Sequence, residues 1–162
     1  TVYAAGLRVG EAVRLKVADI DSNRMMLRVE QGKGRKDRYV TLSPRLLVEL
    51  REYWKQYRPA PWLFPGHASD RPMPGDTAYQ IYVEAKLKAG IHKEGGIHAL
   101  RHAYATHMLE AGVDLRTLQL MLGHRSLLTT QRYLHVTQKN LGAPGKPLDL
   151  LAVSKKKRLP QV

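Results

Sequence analysis

No cysteine occurs among the 162 residues, which removes disulfide frameworks, thiolate metal sites and cysteine nucleophiles. Acid is scarce: 14 Asp and Glu stand against 27 Lys and Arg, a formal net charge of +13. No apolar run approaches the roughly 18 residues of a membrane span, and no signal-peptide pattern opens the chain, so an intracellular, reducing location fits and no membrane partner is expected. The motifs G-x-G-x-x-G and G-x-x-x-x-G-K are missing, which argues against dinucleotide and P-loop chemistry. H-E-x-x-H is missing too, so histidine pairs such as His98 and His102 read as structural rather than as zinc ligands. There is no internal repeat.

What is present is one domain's length of ordinary globular composition, with 43% hydrophobic and 25% charged residues, enough to bury a core unaided. The basic excess is the footprint of a polyanion binder. The run Lys155-Lys156-Lys157-Arg158 reads as a solvated tail, but nine of the thirteen net charges remain without it.

Thr1-Val2-Tyr3-Ala4-Ala5 lacks a leading Met and reads as the end of a helix already under way, so the chain is expected to begin inside a longer protein. Gly6 stops that helix, and a second is expected from Arg8 to Lys16, with Val9, Ala12 and Val13 on one face. Asp19 to Asn23 is turn-like. Strand character over Met25–Glu30 and Arg38–Thr41 flanks the polar Gly32-Lys33-Gly34-Arg35, predicting a β-hairpin with a basic loop. Ser43-Pro44 opens a helix with Leu46, Leu47, Leu50, Trp54 and Tyr57 facing inward. A proline-rich connection follows, with Trp62-Leu63-Phe64 as its anchor. Helices are then expected from Asp76 to Ala89, over Leu100–Glu110, Asp114–Leu122 and Leu127–Leu134. Residues 141–162 read as a tail with a small apolar patch at Leu148, Leu150, Leu151 and Val153. The order predicts an α+β fold, mostly helical with a small antiparallel hairpin or sheet, rather than a doubly wound one.

Four segments offer phosphate chemistry. Arg8 lies at an expected helix start, where free N–H groups favour an anion. Lys33 sits at the hairpin tip. His98 and Arg101, three residues apart on a helix, can point at one spot. His124 follows Gly123, with Tyr133 nine residues later. These two Arg, one Lys, two His and one Tyr include no carboxylate. Such a set suits a pentavalent phosphorane, whose charge wants guanidinium donors. Singly, each residue reads as an ordinary surface or core side chain; the ensemble is what is specific.

The run Ala5-Gly6-Leu7-Arg8-Val9-Gly10-Glu11, with Leu15, Asp19 and Ile20, resembles the first arginine box of the tyrosine recombinases (the phage-integrase family, Xer-like members). Gly32-Lys33-Gly34-Arg35-Lys36-Asp37-Arg38 resembles their β-hairpin lysine motif. His98-Ala99-Leu100-Arg101-His102-Ala103-Tyr104-Ala105-Thr106-His107 is similar to their H-x-L-R-H box. Leu122-Gly123-His124 with Thr129-Thr130-Gln131-Arg132-Tyr133 resembles the box that ends in the nucleophile. The four boxes stand in order across residues 1–136.

The resemblance implies the DNA breaking-rejoining fold, with residues 1–140 as an N-terminally truncated catalytic domain and 141–162 as a tail. It implies that Tyr133 attacks a scissile phosphate, giving a 3′-phosphotyrosine and a free 5′-hydroxyl. Arg8 and Arg101 would hold the non-bridging oxygens and His124 would donate to the phosphate. Lys33 would protonate the leaving oxygen, with Lys36 as the alternative, and His98 would assist as general base. His102 would support the site. No cofactor, metal or nucleotide is required. The implied partners are a double-stranded DNA recombination site and further copies of the chain: a tetramer on synapsed DNA, a monomer in isolation. The C-terminal segment, Leu148–Val153 here, would dock on the neighbouring protomer. The implied setting is the cytoplasm of a bacterium, or that of a phage or mobile element. A type IB topoisomerase-like nicking-closing enzyme and a non-catalytic basic DNA-binding module remain alternatives. Relaxation without recombination would mark the former, and absence of any covalent adduct the latter.

Overall fold

Leu27, Val29 and Val40 alternate with polar neighbours, and that period-two pattern pairs them in a small sheet. The computed structural model describes residues 1–30 and 37–134. Its strands β1 (Ile20–Asp21), β2 (Met26–Val29) and β3 (Arg38–Thr41) run antiparallel in the order β1-β2-β3, with Leu27 opposite both Ile20 and Val40. The expected hairpin is therefore two strands of a three-stranded sheet. Ile20 and Asp21, read as turn, pair with β2 because Asp21 Oδ1 accepts from the Arg24 amide and folds the chain back there. The lysine loop with Lys33 and Lys36 and the tail with Leu148–Val153 lie outside the described residues.

The helices are α1 (Val9–Ala12), α2 (Pro44–Tyr57), α3 (Gly75–Lys88), α4 (His98–Glu110), α5 (Leu115–Leu122) and α6 (Leu127–Gln131), with a 3₁₀ turn at Val17–Asp19. The predicted α+β, mostly helical arrangement is the one observed. Before α1, Ala5 N–H donates to Thr1 O and Leu7 N–H to Val2 O, closing as a helix end closes.

Helix α1 is one turn rather than the expected Arg8–Lys16. Beyond Ala12 the backbone pairs with the proline-rich connection: Leu63 N–H donates to Leu15 O at 2.8 Å and Val17 N–H to Pro61 O at 3.0 Å. Tertiary pairing there overrides the helical pattern, in a segment whose Val13 and Val17 favour helix weakly. Helix α2 begins where expected, with Ser43 Oγ accepting from the Leu46 amide. Leu46, Leu47 and Leu50 face inward as expected, with Tyr53 half-buried against the same core. Trp54 and Tyr57 are exposed, not inward, because the last turn runs past the core edge, where the Arg58 guanidinium stacks 4.1 Å over the Trp54 ring.

Two cores result. The larger joins Leu7, Leu15, Leu27, Val29, Val40, Leu42, the α2 leucines and Leu63, so Trp62-Leu63-Phe64 does anchor its connection. The smaller gathers Ala105 of α4, Leu118 and Leu122 of α5, and Tyr133. The cleft between these two cores is where the polar residues converge.

Candidate active site

Arg8 is the residue before α1, and Glu11 lies in that helix's first turn, three residues on. Glu11 Oε2 accepts from the Arg8 amide at 2.8 Å and Oε1 from Arg8 Nη1 at 2.8 Å. Arg38, at the start of β3, grips the same carboxylate with both terminal nitrogens, at 2.8 and 2.9 Å. Arg101 Nη1 lies 3.7 Å from it. One carboxylate thus gathers three guanidiniums, leaving two positive charges in excess. Burial pushes the Glu11 carboxyl up, but bonds from Arg38 and Arg8 outweigh it and hold it at about 2. At this helix start Glu11 Oε2 takes the Arg8 amide, one of the N–H groups expected to favour an anion.

Arg101 is 6% exposed, and its charge survives there because backbone carbonyls take its donors: Gly6 O from Nη1 at 2.7 Å and Leu122 O from Nη2 at 2.7 Å. Both carbonyls come from turns that require glycine. Gly6 has φ +61°, and a Cβ there would lie 2.5 Å from Tyr104 Cδ1. Gly123, at φ +62°, ends α5 and turns His124 back over the site. Burial, with repulsion from Arg8 and Arg38, lowers Arg101 to about 10, still protonated at neutral pH.

Arg101 Nη2 also donates to His124 Nε2 at 3.1 Å. An arginine has no acceptor, so Nε2 carries the lone pair and Nδ1 the proton, which goes to Thr130 Oγ1 at 2.9 Å. Burial and the surrounding arginines lower the His124 imidazole to about 4. Gln119, itself buried, donates to the His124 carbonyl and fixes the turn.

Tyr133 follows α6 and is 5% exposed. Its hydroxyl oxygen is hydrogen-bonded to His102 Nδ1 at 3.0 Å. Burial raises the phenol, partly offset by Arg101, Arg132 and Arg8. A cavity of about 220 Å³ opens beside it, walled by Arg8, His98, Arg101, His102, His124, Thr129, Arg132 and Tyr133. Five of the six sequence-predicted residues, Arg8, His98, Arg101, His124 and Tyr133, therefore line one cavity, while Lys33 lies outside the described residues. Helix α4 starts at His98, two residues earlier than expected, which puts His98, Arg101 and His102 on one helical face.

The prediction of a set without a carboxylate missed Glu11; the Arg8-x-x-Glu11 spacing, a first-turn acid bonded to the amide three residues back, was the available signal. Arg38 and Thr130 fall inside the hairpin and nucleophile motifs, but sequence reasoning assigned neither a part in the site. Arg132, adjacent to Tyr133, was quoted but given no part. Among the described residues no cluster of three His, Asp or Glu is gathered as a metal site. No helix there is long and apolar enough to cross a membrane.

The profile of the phage integrase family matches residues 1–140. A putative integrase/recombinase, y4qK, of Sinorhizobium fredii is 54% identical over 93% of the chain and 49% of its own length. Tyrosine recombinase XerA of Pyrococcus horikoshii is 41% identical over 86% of the chain and 50% of its own length. The chain thus spans about half the length of these curated relatives. In structure it resembles a XerA recombinase crystal structure with a TM-score of 0.75 at 31% identity, over 98% of the chain and 55% of that one. It also resembles XerH bound to a palindromic difH substrate in a post-cleavage complex, with a TM-score of 0.75 at 28% identity, over 86% of the chain and 41% of that one.

Proposed function

The chain belongs to the phage integrase family, and from that premise we propose that it cuts and rejoins DNA at specific sites through a 3′-phosphotyrosine intermediate. The observation that carries the reading is the placement of Tyr133 in one cavity with Arg8, Arg101 and His124. A buried phenol is a poor nucleophile until an electrophile and a charge sink stand beside it, and the two unneutralised guanidinium charges supply the sink.

In this reading Arg8 and Arg101 take the non-bridging oxygens of the scissile phosphate. Arg101, held by two carbonyls, is preorganised and needs no rearrangement as charge develops. His124 completes the donor set, and His98, by resemblance, assists as general base. Because His124 Nε2 accepts from Arg101 in the free chain, it must gain a proton, by protonation or a change of tautomer, before it donates to phosphate. Lys33, by resemblance, protonates the leaving 5′-oxygen, with Lys36 of the same loop as the other candidate. Reversal by a 5′-hydroxyl from another strand rejoins DNA without ATP, because the phosphotyrosine keeps the bond energy. The partners are a duplex recombination site and further copies of the chain, a tetramer when two sites are paired, in the cytoplasm. Residues 1–140 form the catalytic domain and 141–162 its tail.

A duplex nicked beside the cleavage point loses its short 5′-hydroxyl fragment and traps the adduct. The expected result is a protein–DNA species that survives denaturing electrophoresis. No such species on any site would leave only a binding module, and relaxation without exchange between paired sites would favour a topoisomerase-like enzyme.

A further inference from the structure

Two histidines one turn apart on α4 line the cavity, and they are not equivalent. His102 is the one whose ring touches the nucleophile: Nδ1 is 3.0 Å from the Tyr133 oxygen, with the ring centroids 5.6 Å apart. His98 lies a helical turn towards the N-terminus of α4, lining the same cavity. A general base must reach the proton it removes, within about 2.6–3.2 Å, before its basicity matters. His102 meets that condition in the free chain.

We propose that His102, rather than His98, takes the proton from Tyr133 as the phenol attacks phosphate, and returns it when the tyrosine is displaced. The inference rests on the strand-cleavage reading above. The Tyr133 oxygen–phosphorus bond forms, the phosphorus–5′-oxygen bond breaks, and the phenolic proton passes to His102 Nδ1. The departing oxygen takes a different proton, from the lysine assigned to it. In rejoining, the incoming 5′-hydroxyl gives up its proton on the lysine side, and imidazolium His102 protonates the leaving phenolate.

The direction of the hydrogen bond follows from acidity, since a phenol is a far stronger donor than the N–H of a neutral imidazole. His102 is exposed, so its Nε2–H can remain hydrated while Nδ1 accepts. The charged and titratable groups around it are His98 and Arg101 on α4, Arg132 and Tyr133 after α6, and Arg8 and His124 across the cavity. Burial, Arg132, His98 and Arg101 all lower its affinity for protons, so at neutral pH it is an unprotonated acceptor. Phosphate, on entering, neutralises the arginines that disfavour the imidazolium, and the bond from the Tyr133 oxygen to phosphorus takes up the charge the phenolate would otherwise carry.

Two measurements test the assignment. Nitrogen-15 chemical shifts of the unaltered chain at neutral pH should show His102 protonated on Nε2 and bare on Nδ1; a proton on Nδ1 would overturn the proposal. Cleavage of the nicked duplex should then be followed against pH in His102→Asn, His98→Asn and Tyr133→Phe. Asn keeps a hydrogen-bonding atom near the position of Nδ1 but cannot carry the proton. The unaltered chain should reach a plateau by neutral pH. His102→Asn should be about 10²–10³-fold slower at pH 7 and keep accelerating with pH as hydroxide ionises Tyr133, whereas His98→Asn should keep the plateau. A His102→Asn rate within threefold of the parent with an unchanged pH profile, while Tyr133→Phe forms no adduct, would overturn the role of His102 and leave the cleavage reading standing. Adduct formation by Tyr133→Phe would overturn both.

Discussion

Glu11 sits where three guanidiniums would otherwise repel one another, and its side chain is 9% exposed. A carboxyl held at about 2 in the folded chain, against 4.5 as its ordinary value, binds fewer protons folded than unfolded between those pH values. Its contribution is therefore complete above pH 4.5 and is lost as pH falls towards 2. At 1.36 kcal/mol per unit this amounts to about 3 kcal/mol. His124, at about 4 against an ordinary 6.5, is neutral when folded and charged when unfolded between those limits, so its contribution falls as pH drops from 6.5 to 4. Urea titrations across pH should show stability decreasing on acidification from 6.5 and again below 4.5. Glu11→Gln should remove the lower step and cost about 3 kcal/mol at neutral pH, as expected when a buried ion pair loses one partner. An unchanged unfolding midpoint in Glu11→Gln would remove Glu11 from the centre of the site. Arg8→Ala and Arg101→Ala should each slow adduct formation by about 10²–10³, and together by less than the product, since both act on one phosphoryl group. Parental rates in either single variant would take that arginine out of the reaction.

At the scale of elements, the site depends on turns more than on helices. The Gly6 carbonyl holds Arg101, while its own conformation holds Tyr104 against the backbone. Gly6→Ala adds left-handed strain of about 1–2 kcal/mol and a clash with the Tyr104 ring. A lower melting temperature accompanied by slower cleavage is expected; full activity with full stability would show the turn to be dispensable. The same contrast explains what the sequence disclosed. Helices with strong end signals, such as Ser43-Pro44 before α2 and Asp114 before α5, were legible because capping is local. The one-turn α1 was not, because it is cut short by a distant partner, the Pro61–Leu63 backbone. Nor was the two-residue β1, which is too short to show alternation beside the Asp21–Arg24 turn that folds it onto Met26 and Leu27. Arg8, His98, Arg101, His124 and Tyr133 were legible as an ordered set of motifs. The parts of Arg38 and Thr130 were not, since they rest on contact across 27 residues of chain, or with a ring nitrogen whose position only the fold determines, whereas Glu11 carried a local signal in its spacing from Arg8.

For the whole molecule, the net charge of +13 bears on the proposed binding to a duplex. Neutralising several phosphates makes log K fall by about 0.9 per contact for each tenfold rise in salt. Binding titrations from low to high salt should show that steep decline, and flat binding would point away from nucleic acid. Cleavage should survive EDTA, because cationic side chains stand where a two-metal nuclease would present carboxylates. Activity lost with chelator and restored by magnesium would contradict this account.

The central claim is that Tyr133 becomes bonded to DNA. Mass spectrometry of the trapped adduct after digestion with protease and nuclease reads this directly. The account predicts that the peptide containing Tyr133 carries a 3′-phosphoryl nucleotide on the tyrosine oxygen, with a 5′-hydroxyl on the released strand. A nucleotide on any other residue, or a released strand ending in 5′-phosphate, would contradict it.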